Sequence, residues 1–127
     1  MTNFKKIEID NAAPRTELHD ALGLTGAEVS VNRLPAGSKG APFVHAHMAN
    51  EEIYGVIEGK GELYIDGEVV PLVKGSWFRI DPAGHRAIHA ATDEGITYIC
   101  IQAKAGSLGG FTMTDGKLIE GEKAPWF

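Results

Sequence analysis

The chain has 127 residues, a length typical of one domain that buries enough apolar surface to fold without disulfides. Twelve Lys and Arg stand against seventeen Asp and Glu, which gives a formal charge of −5 and no basic run to attract a phosphate backbone. The one cysteine cannot pair within the chain, and no apolar stretch has the length of a signal peptide or a membrane span. We therefore expect one domain over residues 1–127, located in the cytoplasm, with no nucleic-acid and no membrane partner.

One short helix is predicted near the N-terminus. Thr16 is a candidate N-cap, and Leu18, Ala21 and Leu22 share one face of a helix. Gly23 is a natural stop, because glycine tolerates the left-handed conformation that ends many helices. We expect a helix over residues 16–23 and no other helix of any length.

From Glu28 onward the sequence predicts short strands. Val29 and Val31 alternate with Ser30 and Asn32, which is the two-residue period of a strand. Further strands are expected at residues 43–47, 52–58, 62–65, 68–72, 77–80, 87–91 and 96–104.

Two residue pairs predict tight hairpins. Asp66-Gly67 and Asp115-Gly116 both tolerate the positive φ that the central residues of a type I′ turn require. Sixteen glycines and six prolines are spread evenly, so they separate short strands and do not form one linker. Many short strands with little helix predict an all-β fold, either a sandwich or a barrel.

Two histidines and a glutamate form the strongest functional pattern. His45 and His47 flank one residue of a predicted strand, so alternation puts both imidazoles on one face, roughly 6.6 Å apart along the strand. Glu52 follows after a four-residue connection and can turn back beside them. Two imidazoles and a carboxylate suit a divalent transition metal, with Fe, Mn, Zn, Ni and Cu all acceptable, and leave coordination positions open.

The spacing of this pattern resembles the first motif of the cupin superfamily. Residues 40–47 read Gly-Ala-Pro-Phe-Val-His-Ala-His, and Gly59 comes six residues after Glu52. Gly75 and the Pro-Ala-Gly at residues 82–84 are similar to the second cupin motif, which is the more degenerate of the two.

The resemblance implies both a fold and a site. The fold is a double-stranded β-helix, a jelly-roll barrel whose motif-bearing core spans about residues 28–104. The site is a metal inside the barrel, which the resemblance transfers to His45, His47 and Glu52.

A fourth ligand is expected from the second motif, and several residues compete for it. Cupins usually place this ligand two residues beyond the Pro-x-Gly, which here is Ala87. His85 and His89 share the parity of Ala87, so either histidine faces inward if Ala87 does, and neither does if Arg86 faces inward. We take His85 as the candidate ligand. An inward Arg86 would instead imply an anionic ligand or a weakened metal site, since a guanidinium repels a divalent cation.

Two further residues near Glu52 enter the prediction. Glu51 could replace Glu52 as a ligand, but it leaves seven residues before Gly59 and belongs to the opposite face of the strand. If Glu52 points inward, Tyr54 does too, which makes it a candidate residue of the substrate pocket, with plain barrel core as the alternative. Cys100 is expected in the core.

The sequence leaves two classes of function open. One is a metalloenzyme that acts on a small polar molecule, of the oxygenase, isomerase or decarboxylase type. The other is a non-catalytic protein that binds or senses a small ligand, because one fold hosts many chemistries. A homodimer is also expected, with a strand near residues 4–9 at the contact. The apolar end, Pro125-Trp126-Phe127, is expected to dock on the barrel or the partner, unless it frays.

Overall fold

A computed structural model describes residues 3–127. Its strands are β1 (Arg15–Glu17), β2 (Glu28–Leu34), β3 (Asn50–Ile65), β4 (Glu68–Val73), β5 (Trp77–Ile80), β6 (Arg86–Ala90) and β7 (Ile96–Lys104). A one-turn helix, α1 (His19–Leu22), lies between β1 and β2, and a 3-10 turn spans Thr112–Thr114. Within residues 3–127, no helix has the length and apolar character needed to cross a bilayer.

The strands form two antiparallel sheets that share β3. The first half of β3 lies between β7 and β5, and beyond β7 come β2 and then β1. The second half of β3 lies between β4 and β6. Alternate side chains of both sheets point into a shared core that includes Val56, Leu63 and Ile96. The prediction of an all-β, jelly-roll barrel is therefore confirmed.

β3 is one strand, although the sequence predicts two at residues 52–58 and 62–65. The chain passes from one sheet to the other at a bulge between Val56 and Glu58. Gly59 follows the bulge with φ 79°, and a Cβ there would overlap the carbonyl oxygen of Gly95. The glycine thus permits a bend inside a continuous strand, where the sequence alone indicates a break.

One of the two predicted hairpins is present. Asp66 and Gly67 have φ values of 48° and 90° and join β3 to β4, as the type I′ prediction requires. The prediction for Asp115-Gly116 is wrong. Asp115 has φ −114° and ends the 3-10 turn, and no strand flanks it in the part of the chain that is described.

The N-terminal helix is shorter than predicted. Thr16 belongs to β1 and pairs with Val31, so it does not cap a helix. α1 begins only at His19, and the carboxylate of Glu28 accepts the backbone N–H groups of Leu18 and His19, at 3.1 and 3.0 Å. The predicted stop at Gly23 is confirmed by its left-handed φ of 67°. Residues that local propensity assigns to the helix therefore belong to β1, because they pair with β2.

Residues 43–47 do not form the predicted strand. Their only bridge within residues 3–127 joins His45 to Arg86, through His45 N–H to Arg86 C=O at 3.1 Å and the reverse bond at 2.9 Å. Phe43 and Val44 are 61% and 52% exposed. The segment is a loop that is bonded to the barrel through His45 and His47 and forms no continuous ladder, and Pro42 just before it has no N–H to extend one.

The two ends of the described chain lie outside the sheets. Residues 4–9, predicted as a strand at a dimer contact, form no strand in the single chain. Trp126 and Phe127 pack on each other but are 81% and 84% exposed, so they do not dock on the barrel of this chain.

The inward face of β2 is polar. Ser30 and Asn32 are 2% and 3% exposed, and Asn32 Nδ2 donates to Ser30 Oγ at 3.0 Å. Val29 and Val31 lie on the outer face and are half-buried. A strand that turns its polar side chains toward the barrel interior lines a cavity there, since a packed apolar core would exclude such groups.

Candidate metal centre

Glu52 is fixed in the barrel wall by two neighbouring strands. It lies near the start of β3 and pairs with Gln102 of β7 on one side and Ile80 of β5 on the other. Its parity directs the carboxylate inward, and the residue is 3% exposed. Glu51 is half-buried on the opposite face, opposite Ala103, and takes no part in the site.

His45 and His47 approach Glu52 from the loop before β3. The backbone bonds of His45 to Arg86, and the bond from His47 N–H to Pro82 C=O at 2.9 Å, hold this loop against β6. Both histidines are half-buried while the intervening Ala46 is exposed, so alternate side chains face the cavity as the sequence predicts. The two imidazole rings lie edge to face with centroids 5.4 Å apart.

The three side chains converge on one point. One nitrogen of each histidine and one oxygen of Glu52 all lie within 4.8 Å of one another, and His47 Nε2 is 3.5 Å from Glu52 Oε1. His45 Nδ1 and His47 Nε2 are buried and have no hydrogen-bond partner. Burial lowers the pKa of His45 below its ordinary value of 6.5, so its imidazole keeps a free lone pair at neutral pH.

These observations fit a divalent metal. Two imidazoles that converge on a buried carboxylate are a donor set that transition ions prefer, and ligands of one ion lie up to about 4.4 Å apart. The group His45, His47 and Glu52 is thus positioned to hold a metal ion after small side-chain adjustments.

Both oxygens of Glu52 are held by neutral donors. The hydroxyl of Tyr54 donates to Oε1 at 3.2 Å, and the thiol of Cys100 donates to Oε2 at 3.2 Å. Burial, together with the nearby negative charge of Glu52, raises the pKa of Cys100 to about 12. Burial also raises the pKa of Tyr54 above its ordinary range. Both groups therefore stay protonated at neutral pH and orient the carboxylate.

Arg86, and not His85 or His89, faces the group formed by His45, His47 and Glu52. Arg86 opens β6, is 1% exposed and points inward, with Nε 3.5 Å from Glu52 Oε1 and Nη2 donating to Asp81 C=O at 3.0 Å. His85 is exposed, and its backbone N–H donates to Asp66 Oδ1 at 2.8 Å. His89 lies on the outer face, 2.8 Å from Glu62.

The structure therefore brings three of the four predicted ligands together and leaves His85 outside the group. The expectation for His85 is corrected by strand parity, because the inward positions of β6 are Arg86, Ile88 and Ala90.

The site opens into a cavity of about 460 Å³, within the range of small-molecule pockets. Tyr54 lines it, as predicted, and stacks on Phe78 with ring centroids 5.0 Å apart. Sequence reasoning missed other polar lining residues: Arg15, Asn32, Lys39, Tyr98 and Gln102. The signal for Asn32 was present, since a strand that alternates valine with polar residues has two possible inward faces. Cys100, expected as core, is buried in the core and also lines the cavity.

Comparison with known proteins agrees with this geometry. A crystal structure of a cupin protein from Bacteroides fragilis is 56% identical, covers 94% of this chain and 99% of its own, and has a TM-score of 0.90. A Cupin 2 conserved barrel domain protein from Salinispora arenicola is 20% identical over 82% of this chain and 92% of its own, with a TM-score of 0.69. A cupin-superfamily sugar phosphate isomerase from Silicibacter pomeroyi is 31% identical over 72% of this chain and 60% of its own, with a TM-score of 0.60.

No curated protein matches the chain. A family description, the cupin domain, matches residues 30–102, which is more than half of the sequence. This stretch contains both motifs and all three residues of the metal-ligand group. The chain therefore belongs to the cupin superfamily.

Proposed function

We propose that this cupin is a metal-dependent enzyme that acts on a small polar molecule inside its barrel, with His45, His47 and Glu52 holding the ion. The observation that carries the proposal is that one nitrogen of each imidazole and one oxygen of the buried carboxylate lie within 4.8 Å of one another, with His47 Nε2 buried and without a hydrogen-bond partner. A bound divalent ion would supply a Lewis acid or a redox centre with positions open to a substrate oxygen. The residues offer three ligands, so room for a substrate remains at the ion.

The surrounding residues prepare this site for a small ligand. Tyr54 and Cys100 hold the two carboxylate oxygens of Glu52, which limits the orientations that the carboxylate can adopt. Leu34 and Ile88 add apolar surface to the cavity wall. Isomerase chemistry is supported by the 31% identity to the sugar phosphate isomerase from Silicibacter pomeroyi, and oxygenase and decarboxylase chemistry are compatible with the same donor set.

Arg86 favours a second candidate function, the binding of a small ligand without catalysis. Its guanidinium stands where a fourth ligand would be and lies 3.5 Å from Glu52, so it already compensates the carboxylate charge. A cation at this position weakens the attraction of the site for a divalent ion. A protein with this arrangement could bind its ligand with no metal at all.

Manganese binding followed by water-proton relaxation tests the proposed function. Mn²⁺ held by three protein ligands keeps exchangeable water, so the wild-type protein should enhance the relaxation rate of solvent protons as it takes up the ion. Glu51→Gln, which makes the same chemical change on the outer face of β3, should behave like the wild type. Glu52→Gln should bind less Mn²⁺ and enhance less.

Two results would decide against an enzyme of this kind. Binding of Mn²⁺ without enhancement would mean a closed coordination shell and a structural ion. Absence of binding by the wild-type protein would favour the second candidate.

A further inference from the structure

We propose that the cavity of this protein receives a small ligand that carries an oxyanion group, a carboxylate or a phosphate, bound by Arg86 at the buried end and Arg15 at the mouth. The inference rests on the proposed function in taking the same cavity as the ligand site, but it does not depend on a bound metal. The inference is compatible with both candidate functions above.

The first argument is the state of the Arg86 guanidinium. The side chain is 1% exposed, lines the cavity, and has two nitrogens, Nε and Nη1, without a hydrogen-bond partner. Its one hydrogen bond, from Nη2 to Asp81 C=O, leaves Nη1 without an acceptor and Nε 3.5 Å from Glu52 Oε1, too far for a hydrogen bond in this geometry. A buried N–H donor without an acceptor is unfavourable even where a nearby carboxylate compensates the charge, and an oxyanion supplies that acceptor.

The second argument is the charge of the cavity wall. Three cationic side chains line it, Arg15, Lys39 and Arg86, against the lining carboxylate of Glu52 and the exposed Glu17, whose Oε1 accepts from Arg15 Nε at 3.0 Å. The whole chain, by contrast, carries a formal charge of −5, so positive charge is concentrated at this cavity. A divalent ion on Glu52 would add to this surplus of positive charge. An anionic ligand is therefore attracted to the cavity whether or not the metal is present.

The third argument is that Arg15 is held in place over the cavity. Its Nη1 donates to Asn32 Oδ1 at 2.6 Å, and Asn32 in turn donates to Ser30 at 3.0 Å. Asn32 and Ser30 are both buried, so a fixed polar chain aligns this otherwise exposed guanidinium. Two positioned guanidinium groups, one at each end of the cavity, suit a ligand with polar groups at both ends.

The experiment compares ligands that differ in charge but little in shape. Calorimetric titration of the metal-free protein and of the zinc-loaded protein uses succinate, inorganic phosphate and succinamide, with ionic strength kept equal. We expect saturable binding of succinate or phosphate to both protein forms and none of the neutral succinamide. Which of the two anions binds identifies carboxylate or phosphate as the source of the oxyanion.

Variants assign the binding to the two arginines. Arg15→Gln and Arg86→Lys should each weaken anion binding at least about tenfold, a difference of about 1.4 kcal/mol. Lys74→Gln, which removes a cation paired with Glu58 on the outer surface, is the matched control and should bind like the wild type. If Arg86→Lys does not fold, the Nε–H resonance of Arg86 in the wild-type protein should still shift when the anion is added.

Three outcomes would overturn the inference. If succinamide binds as well as succinate, the cavity does not distinguish ligands by their charge. Anion binding that is unchanged by Arg15→Gln, with no shift of the Arg86 resonance, would remove both arginines from the site. Anion binding only to the zinc-loaded protein, with the variants unaffected, would mean coordination to the metal alone, a result that overturns this inference and supports the proposed function.

Discussion

Replacing Glu52 with glutamine should destabilise the metal-free protein by about 3 kcal/mol. The residue is 3% exposed, and its carboxylate lies 3.5 Å from the Nε of Arg86, which is 1% exposed. Removing one partner of a buried ion pair costs about 3–5 kcal/mol, because the other charge stays buried without compensation. We expect the lower end of that range, because the 3.5 Å separation is an ion pair without a hydrogen bond.

Urea unfolding followed by circular dichroism measures this effect after chelation, so that lost metal contributes nothing. Glu51→Gln is the control and should stay within about 0.5 kcal/mol of the wild type. Adding Arg86→Met to Glu52→Gln should recover part of the loss, since both buried charges are then absent. A loss below about 1 kcal/mol for Glu52→Gln would refute the account of Arg86 and Glu52 as a charge-compensated pair.

We expect four other outcomes, of which the first rests on the proposed metal and the last on the sequence-based expectation of a homodimer. Chelation of the natively purified protein should lower its melting temperature, because a free ion at about one hundred times its Kd stabilises the folded state by about 2.7 kcal/mol. An unchanged Tm after verified metal removal would contradict a site that is integral to the fold. Acidification of the metal-free protein should destabilise it. Burial lowers the pKa of His45 below 6.5, so the contribution of the neutral imidazole to the free energy of unfolding is present above pH 6.5 and is lost as the pH falls through the lowered value. A urea midpoint that is no more sensitive to acid than the midpoint of His45→Gln would contradict this prediction. Cys100, with its pKa raised to about 12, should resist iodoacetamide in the native protein at neutral pH and react in denaturant, whereas fast native alkylation would place the thiol outside the barrel. Sedimentation should give a homodimer at micromolar concentration, and a monomer at that concentration would contradict the expected dimer.

Much of the fold could be predicted because strands with a two-residue period leave a clear trace in sequence. The bounds predicted for residues 77–80 and 96–104 are those of β5 and β7. The continuity of β3 could not be predicted, because Gly59 and Gly61 indicate a turn as readily as a bend within a strand. Residues 16 and 17 illustrate the same limit, since their pairing with β2 depends on a strand that is distant in sequence.

The site could be predicted where ligand spacing is local. His45, His47 and Glu52 lie within eight residues, and their spacing together with the cupin resemblance indicates one metal-ligand group. The identity of a fourth ligand depends on which residue near the start of β6 first points inward, and in the structure this residue is Arg86. A shift of one residue exchanges His85 for Arg86, so the sequence could only state the two alternatives.

The metal content of purified variants tests the central claim most directly. After equilibration with a small choice of divalent ions, elemental analysis should give about one bound ion per chain for the wild type and for Glu51→Gln. His45→Ala, His47→Ala and Glu52→Gln should each retain clearly less metal, because each loses one ligand of a three-ligand group. Equal metal content in Glu52→Gln and Glu51→Gln, or depletion in Glu51→Gln alone, would contradict the assignment of the site to the inward face of β3.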